Sequence, residues 1–256
     1  VMTDQTIPKT VATAQIQGTR DYQEDTLAVQ VLSVGESAED LLLVLADGMG
    51  GHAGGDVASR LVVDEFCMAY GNCPGNIPMD LRSCLDVANE ALANATVASP
   101  KLGGMGTTLI GCVIRENELY WISVGDSPLW VCREGVLQRL NADHSMVPLL
   151  DEMVRTGVME RAAALVDPRR NMLRSAVAGK MLELVDLCGQ PWQLLAGDTV
   201  MLASDGVETL TVDELAAVLQ NPRARSLQQL ADDLTASVEA AGQTSQDNAS
   251  VILYQH

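Results

Sequence analysis

Aromatic side chains are scarce in this sequence of 256 residues: they make up 3% of it, with a single Phe, Phe66. Its core must therefore be built from Leu, Val, Ile, Ala and Met. Basic residues are few as well. Lys and Arg total 16 against 34 Asp and Glu, for a formal net charge of −18 and a pI near 4.3. Such a surface repels nucleic acid and anionic lipid, so neither nucleic acid nor a membrane is expected as a partner. Long hydrophobic runs are missing too. The longest, Leu41 to Ala46, is far too short to cross a bilayer, and no signal-peptide pattern is present; the expected location is cytoplasmic. Six cysteines (Cys67, Cys73, Cys84, Cys112, Cys132, Cys188) are scattered without a C-x-x-C pair, which predicts reduced thiols and excludes a zinc knuckle. Neither G-x-x-x-x-G-K-S/T nor G-x-G-x-x-G occurs, nor any repeat or low-complexity linker. What remains is an ordinary globular composition, 47% apolar and 20% charged, read as a single domain over 1–256.

Runs rich in β-branched residues predict strands at Thr10–Gln17, Thr26–Val34, Leu41–Ala46, Thr107–Arg115, Glu118–Val124, Leu129–Arg133 and Val136–Leu140. Three more follow at Met181–Leu187, Thr199–Ala203 and Ala249–Tyr254. Short turns between several of them favour antiparallel hairpins. Helical periodicity predicts a first pair at Gly55–Tyr70 and Asp80–Ala98. A late pair is expected at Thr211–Gln220 and Ser226–Ala241, with a short helix at Ser145–Gly157. Helices paired around a long run of strands imply an α+β fold, two packed antiparallel β-sheets flanked by helix pairs on their outer faces. The stretch Arg155–Asp167 reads as the least structured part and a candidate flap within 145–170.

The chemistry lies in where a few acids stand. Asp47 follows the apolar run LLLVLA, Asp205 follows TVMLAS, and Asp126 follows LYWISVG. Glu24 and Asp25 precede a strand, as does Asp247. Taken singly, an Asp-Gly after a strand is an ordinary turn. Together, these acids can meet at one rim of a sheet, where they would repel one another unless cations bound between them. All-oxygen ligands favour magnesium or manganese over zinc. Of the three histidines, His256 reads as inert, His144 as a helix-entry residue, and His52 as a glycine-loop residue with a catalytic role possible. Arg20, four residues before Glu24, is either a solvated arginine or a bidentate clamp on phosphate oxygens.

At this point the residues resemble the bacterial metal-dependent serine/threonine protein phosphatases of type 2C. The matching stretches are Arg20-DYQ-Glu24-Asp25, ADGMGGHAGG, GMGTTL at 104–109, VGDS, ADHS at 142–145, DPRRNMLRSAVAG at 167–179, LASDG and QDNAS, in order from about residue 10 to residue 255. The resemblance implies a four-layer α-β-β-α sandwich and hydrolysis of phosphoserine and phosphothreonine by a water activated between two Mn2+ or Mg2+ ions, opposing a bacterial Ser/Thr kinase. By it, Asp47 would bridge the ions and the Gly48 carbonyl would join one of them. Asp205 and Asp247 would hold the other, with Glu24 and Asp25 acting through water. Asp126 with Asp205 would match a third, weaker ion, and Arg20 the phosphate-binding arginine. Pro128, Asp167 and Met49 depart from the family pattern at the substrate rim, the flap and the general-acid position. Two other readings stand beside this one: a non-catalytic phosphoprotein-binding regulator, and a phosphatase of small phosphate esters.

Overall fold

The computed structural model describes residues 8–34, 38–50, 54–73, 75–220 and 226–256. Its first half runs β1 (Val11–Ile16), β2 (Asp25–Val34), β3 (Ala38–Met49), α1 (Gly54–Tyr70) and α2 (Ile77–Ala98). Next come β4 (Gly106–Thr107), β5 (Leu109–Arg115), β6 (Glu118–Val124), β7 (Leu129–Arg133) and β8 (Val136–Arg139). Two short helices, α3 (Val147–Arg155) and α4 (Arg161–Leu165), lead to β9 (Asp186–Leu187), β10 (Trp192–Gln193) and β11 (Thr199–Ala203). A 3-10 turn at Asp205–Thr209, α5 (Val212–Leu219), α6 (Leu227–Ala240) and β12 (Ala249–Gln255) complete the order.

All strand pairings are antiparallel, in two sheets. One has the order β1-β12-β11-β7-β8; the other has β10-β6-β5-β3-β2, with β4 joined to β3 and β9 to β6. Period-two alternation divides the apolar residues of each strand between two layers. In β3, Leu42, Val44 and Ala46 pack under Val62, Phe66, Leu81 and Leu85 of α1 and α2. Leu43 and Leu45 face Val200, Leu202 and Ile252 of the opposite sheet. On the far side Met201, Val251 and Leu253 pack under Leu215, Leu230 and Leu234 of α5 and α6. Three apolar seams between four layers give the α-β-β-α sandwich expected from the sequence.

The lone Phe sits where a glycine admits it. A Cβ built on Gly111 of β5 would lie 2.6 Å from Phe66 Cζ, so a bare backbone there leaves room for the tip of the ring. Helix starts follow their caps. Asn76 accepts from the Met79 N–H, and Thr211 with Glu214 forms a capping box at the start of α5. A second box, Ser226 with Gln229, opens α6, and Gly242 at φ +65° follows its end.

Four local expectations are corrected. Met181–Leu187 is strand only at Asp186–Leu187. Arg155–Asp167, expected to be the least structured part, contains α4. Thr107–Arg115 is broken, because Thr107 pairs with Gly48 across β4 before β5 begins at Leu109. Leu41–Ala46 is the middle of a longer strand that carries Asp47, Gly48 and Met49 within it.

Candidate active site

The alternation that builds the inter-sheet seam also builds the site. One step beyond its last apolar residue, each inward-facing row turns polar at the same end of the sandwich. Leu27 gives way to Asp25, Leu45 to Asp47, Ile110 to Thr108, Leu129 to Ser127, Leu202 to Ser204 and Ile252 to Ser250. Hydrogen bonds across the seam tie these positions together. Ser204 and Ser250 donate to Asp25 Oδ2 at 2.8 and 2.6 Å, and the Thr108 and Ser127 hydroxyls lie 2.7 Å apart. Asp25 and Asp47 stand directly opposite in the β2–β3 register, so their carboxylates project to the same side. Asp25 Oδ1 is buried and has no hydrogen-bond partner among the described residues.

Asp47 is fixed by its backbone. Its N–H donates to Thr108 Oγ1 at 3.0 Å, and its carbonyl accepts from the Thr107 hydroxyl at 2.8 Å and the Thr108 N–H at 2.9 Å. The Asp47-Gly48 pair is therefore strand, not turn. Gly48 is required by close approach, since a Cβ there would lie 2.1 Å from the Gly55 carbonyl oxygen. Glu24 is held from three directions. Asn248 Oδ1 accepts its N–H at 2.8 Å, its carbonyl accepts from Ser59 Oγ at 2.6 Å, and its carboxylate accepts from the Gly55 N–H. Asp205 opens its 3-10 turn directly after Ser204, and Asp247 leads into β12. The Arg20 guanidinium donates to Asp247 Oδ2 at the exposed rim.

These acids share one electrostatic field. Burial, then the charges of Asp25, Asp205, Asp247 and Asp126, push the Asp47 carboxyl well above the usual carboxylate range. Burial raises Asp25 to about 6 against the pull of its two serine donors. Asp126 is raised to about 7, by burial first and then by Asp205 and Asp143. Asp205 is raised as well, by burial and Asp247, while a hydrogen bond from Asp47 works the other way. Among the described residues no three His, Cys, Asp or Glu side chains close into a ready coordination cage. The acids face one another and are held by Arg20, serines and backbone N–H groups. A buried all-oxygen donor set with so few opposing cations fits hard divalent ions, and a bare Asp25 oxygen fits a water or ion among them.

Asp126 opens a second acidic corner that sequence reasoning missed in part. Arg139 donates to the Asp126 carbonyl at 2.6 Å and lies 3.8 Å from Asp143 and 3.6 Å from Glu208. Glu208 was findable: it stands three residues after Asp205, and i and i+3 eclipse on a 3-10 turn. His144 stands three residues before α3, at its entry, and is buried. Its Nδ1 accepts from the Gly125 N–H at 3.2 Å, which holds the loop before Asp126, and burial lowers its pKa. His52 lies outside the described residues. At the flap, Asp167 turns back on its own segment and accepts from the Arg169 N–H and guanidinium. Ser204, Ser250, Thr108 and Asn248, which carry the orientation of the acids, were named in the sequence only as letters within motifs.

Residues 18–248 match the family described as Protein phosphatase 2C. This chain belongs to that family. Among curated type 2C relatives, the serine/threonine phosphatase stp of Listeria monocytogenes is 30% identical over 220 residues, 84% of each chain. The crystal structure of the Mycobacterium tuberculosis serine/threonine phosphatase PstP superposes with a TM-score of 0.79 at 28% identity, covering 96% of this chain and 97% of that one. A second structure, the PstP catalytic domain in complex with 2 manganese ions, has a TM-score of 0.74 at 27% identity, covering 96% of each. Both type 2C neighbours confirm the layer order deduced from the strand alternation.

Proposed function

We propose that this type 2C chain is a metal-dependent phosphoprotein phosphatase that hydrolyses phosphoserine and phosphothreonine esters. The observation that carries the reading is the convergence of Asp25, Asp47, Asp126, Asp205 and Asp247 in one field at the polar end of the inter-sheet seam. Carboxylates so repulsive are best explained by cations between them. We assign Asp47, the Gly48 carbonyl, Asp205 and Asp247 to two divalent ions, with Glu24 and Asp25 reaching them through water and Asp126 contributing to a third, weaker site. Manganese or magnesium suits the donor set, and the PstP domain bound to 2 manganese ions supports manganese. Such ions would supply Lewis-acid polarisation of the phosphoryl group and activation of a water at neutral pH.

The chain's own residues do the rest. Arg20 sits at the open rim, where its fork can leave Asp247 for phosphate oxygens and hold the phosphoryl group in line. Ser204 and Ser250 hold Asp25 inward, and Thr107 with Thr108 fixes the backbone of Asp47, so the acids stay aimed without substrate present. Phosphorylated proteins are the substrates, and an opposing Ser/Thr kinase must supply them. No helix among the described residues is long and apolar enough to cross a membrane, and the six thiols are all free, which supports a reducing, cytoplasmic setting.

The test is phosphate release from a phosphothreonine peptide after chelation, with manganese or magnesium added back. Activity lost to chelator and restored by metal is the expected result. A folded protein that binds metal yet releases no phosphate from peptides or phosphoproteins would sink this reading in favour of the binding regulator.

A further inference from the structure

Away from the site, the turn joining α1 to α2 brings two thiols together. Cys73 Sγ and Cys84 Sγ lie 3.8 Å apart, and Cys73 is the one cysteine of the six that is not fully buried. They share the wall of a cavity of about 400 Å³ between the two helices, lined also by Glu65, Met68, Asn72 and Val87. We propose that Cys73 and Cys84 are an oxidation site, a dithiol that closes to a disulfide on exposure to a peroxide and fastens the end of α1 to α2.

Three observations support the pair. The sulfurs are already in contact, so they need to approach by only about 1.8 Å to reach bonding distance. Cys73 belongs to the turn, hydrogen-bonded to the Tyr70 carbonyl through its N–H, and the neighbouring cavity leaves its side chain room to rotate. Accessibility then orders the chemistry. The thiolate of Cys73 attacks one oxygen of hydrogen peroxide, the O–O bond breaks and hydroxide leaves, giving a sulfenic acid on Cys73. The sulfur of Cys84 attacks that sulfur, the S–O bond breaks, and the hydroxyl leaves as water with the proton of Cys84. Two thiols and one peroxide thus become one disulfide and two waters. A small neutral oxidant suits the place better than an anionic one such as glutathione disulfide, because Glu65 lines the cavity and Asp80 accepts from the Gly75 N–H beside it. Both thiols are held above their ordinary pKa, chiefly by burial, so closure is slow at neutral pH and quickens as pH rises.

The bond acts as a staple and not as an on-off switch of the active site. Gly55, whose N–H the Glu24 carboxylate accepts, is near the opposite end of a helix of 17 residues, about 22 Å from Tyr70. The experiment treats the full chain with a small molar excess of hydrogen peroxide at pH 8, quenches with catalase, and counts thiols in denaturant. The count should fall from six to four. Tryptic mapping without reductant should link the peptide 61–82 to the peptide 83–101. The melting temperature should rise by about 5 °C, and dithiothreitol should reverse it. Phosphatase activity should change less than about twofold. Cys73→Ser, at a partly exposed position that tolerates the change, should keep its thiols and show no rise in melting temperature. A count that stays at six, a link that persists in Cys73→Ser through Cys67, or a link between Cys112 and Cys188 instead would overturn the proposal. A loss of activity that follows the link and is reversed by dithiothreitol would overturn the staple role.

Discussion

In metal-free protein the acidic corner at Asp126 should weaken the fold, and Asp126→Asn should strengthen it. Asp126 is mostly buried, with its pKa raised from 3.8 to about 7 by burial first, then by Asp205 and Asp143. An acid whose folded pKa lies above its unfolded value contributes no penalty below the unfolded pKa. Its cost grows as pH rises through the interval between the two and is complete above the folded value. Each unit corresponds to about 1.4 kcal/mol, so ionised Asp126 costs the fold about 4 kcal/mol above pH 7. Asn keeps the shape and removes the charge, but it must still bury an amide, so a gain of about 2 kcal/mol is expected. That corresponds to a rise of about 6 °C in melting temperature. The assay is urea denaturation followed by circular dichroism after exhaustive chelation, at pH 7.5, 6 and 5. The gain should be largest at pH 7.5 and shrink as pH falls through 7 toward 3.8. A variant no more stable than the parent at pH 7.5, or equally stabilised at all three pH values, would refute the electrostatic account of this corner.

Asp47→Asn should abolish metal-dependent hydrolysis while circular dichroism stays unchanged; near-normal turnover would remove Asp47 from the bridging role. Arg20→Ala should mainly raise KM for a phosphothreonine peptide, with a smaller fall in kcat, and steady-state kinetics would expose unchanged constants if Arg20 only decorates the surface. Gly111→Ala should cost about 2 kcal/mol by driving a methyl into the Phe66 ring, where the added carbon would meet Cζ at 2.6 Å. Adding Phe66→Leu should recover part of that loss in urea denaturation, and a purely additive double mutant would contradict the clash.

The layers were legible because period-two and period-3.6 patterns are strong in Leu41–Ala46, Thr199–Ala203, Ala249–Tyr254 and the two helix pairs. The acids were legible because they end those patterns. What escaped was decided by pairing at a distance. Asp47-Gly48 read as a turn since the apolar run stops at Ala46, yet Gly106 and Thr107, far along the chain, extend the strand through Met49. His144 carried no local sign of burial, because the Gly125 loop that covers it becomes its neighbour only when β6 and the flap meet. Ser204 and Ser250 are unremarkable in sequence. Their meaning comes from inward-facing positions in β12 and just past the end of β11, aimed at an acid of the other sheet. Met181–Leu187 failed as a strand because β propensity was not matched by a partner: only Asp186 and Leu187 find the edge of β6.

The position of β12 has a consequence for synthesis. It lies between β1 and β11, so the five-stranded sheet remains in two pieces until residues 249–255 have left the ribosome. Asp25 and Asp47 are made early, on strands that can pair at once, whereas Asp247 and the Ser250 hydroxyl that holds Asp25 arrive with β12. A nascent chain can therefore fold its first sheet and first helix pair while the catalytic end of the seam stays open. With Asp247 assigned as proposed above, the site would be completed only when β12 inserts, and a product truncated before residue 247 would lack it.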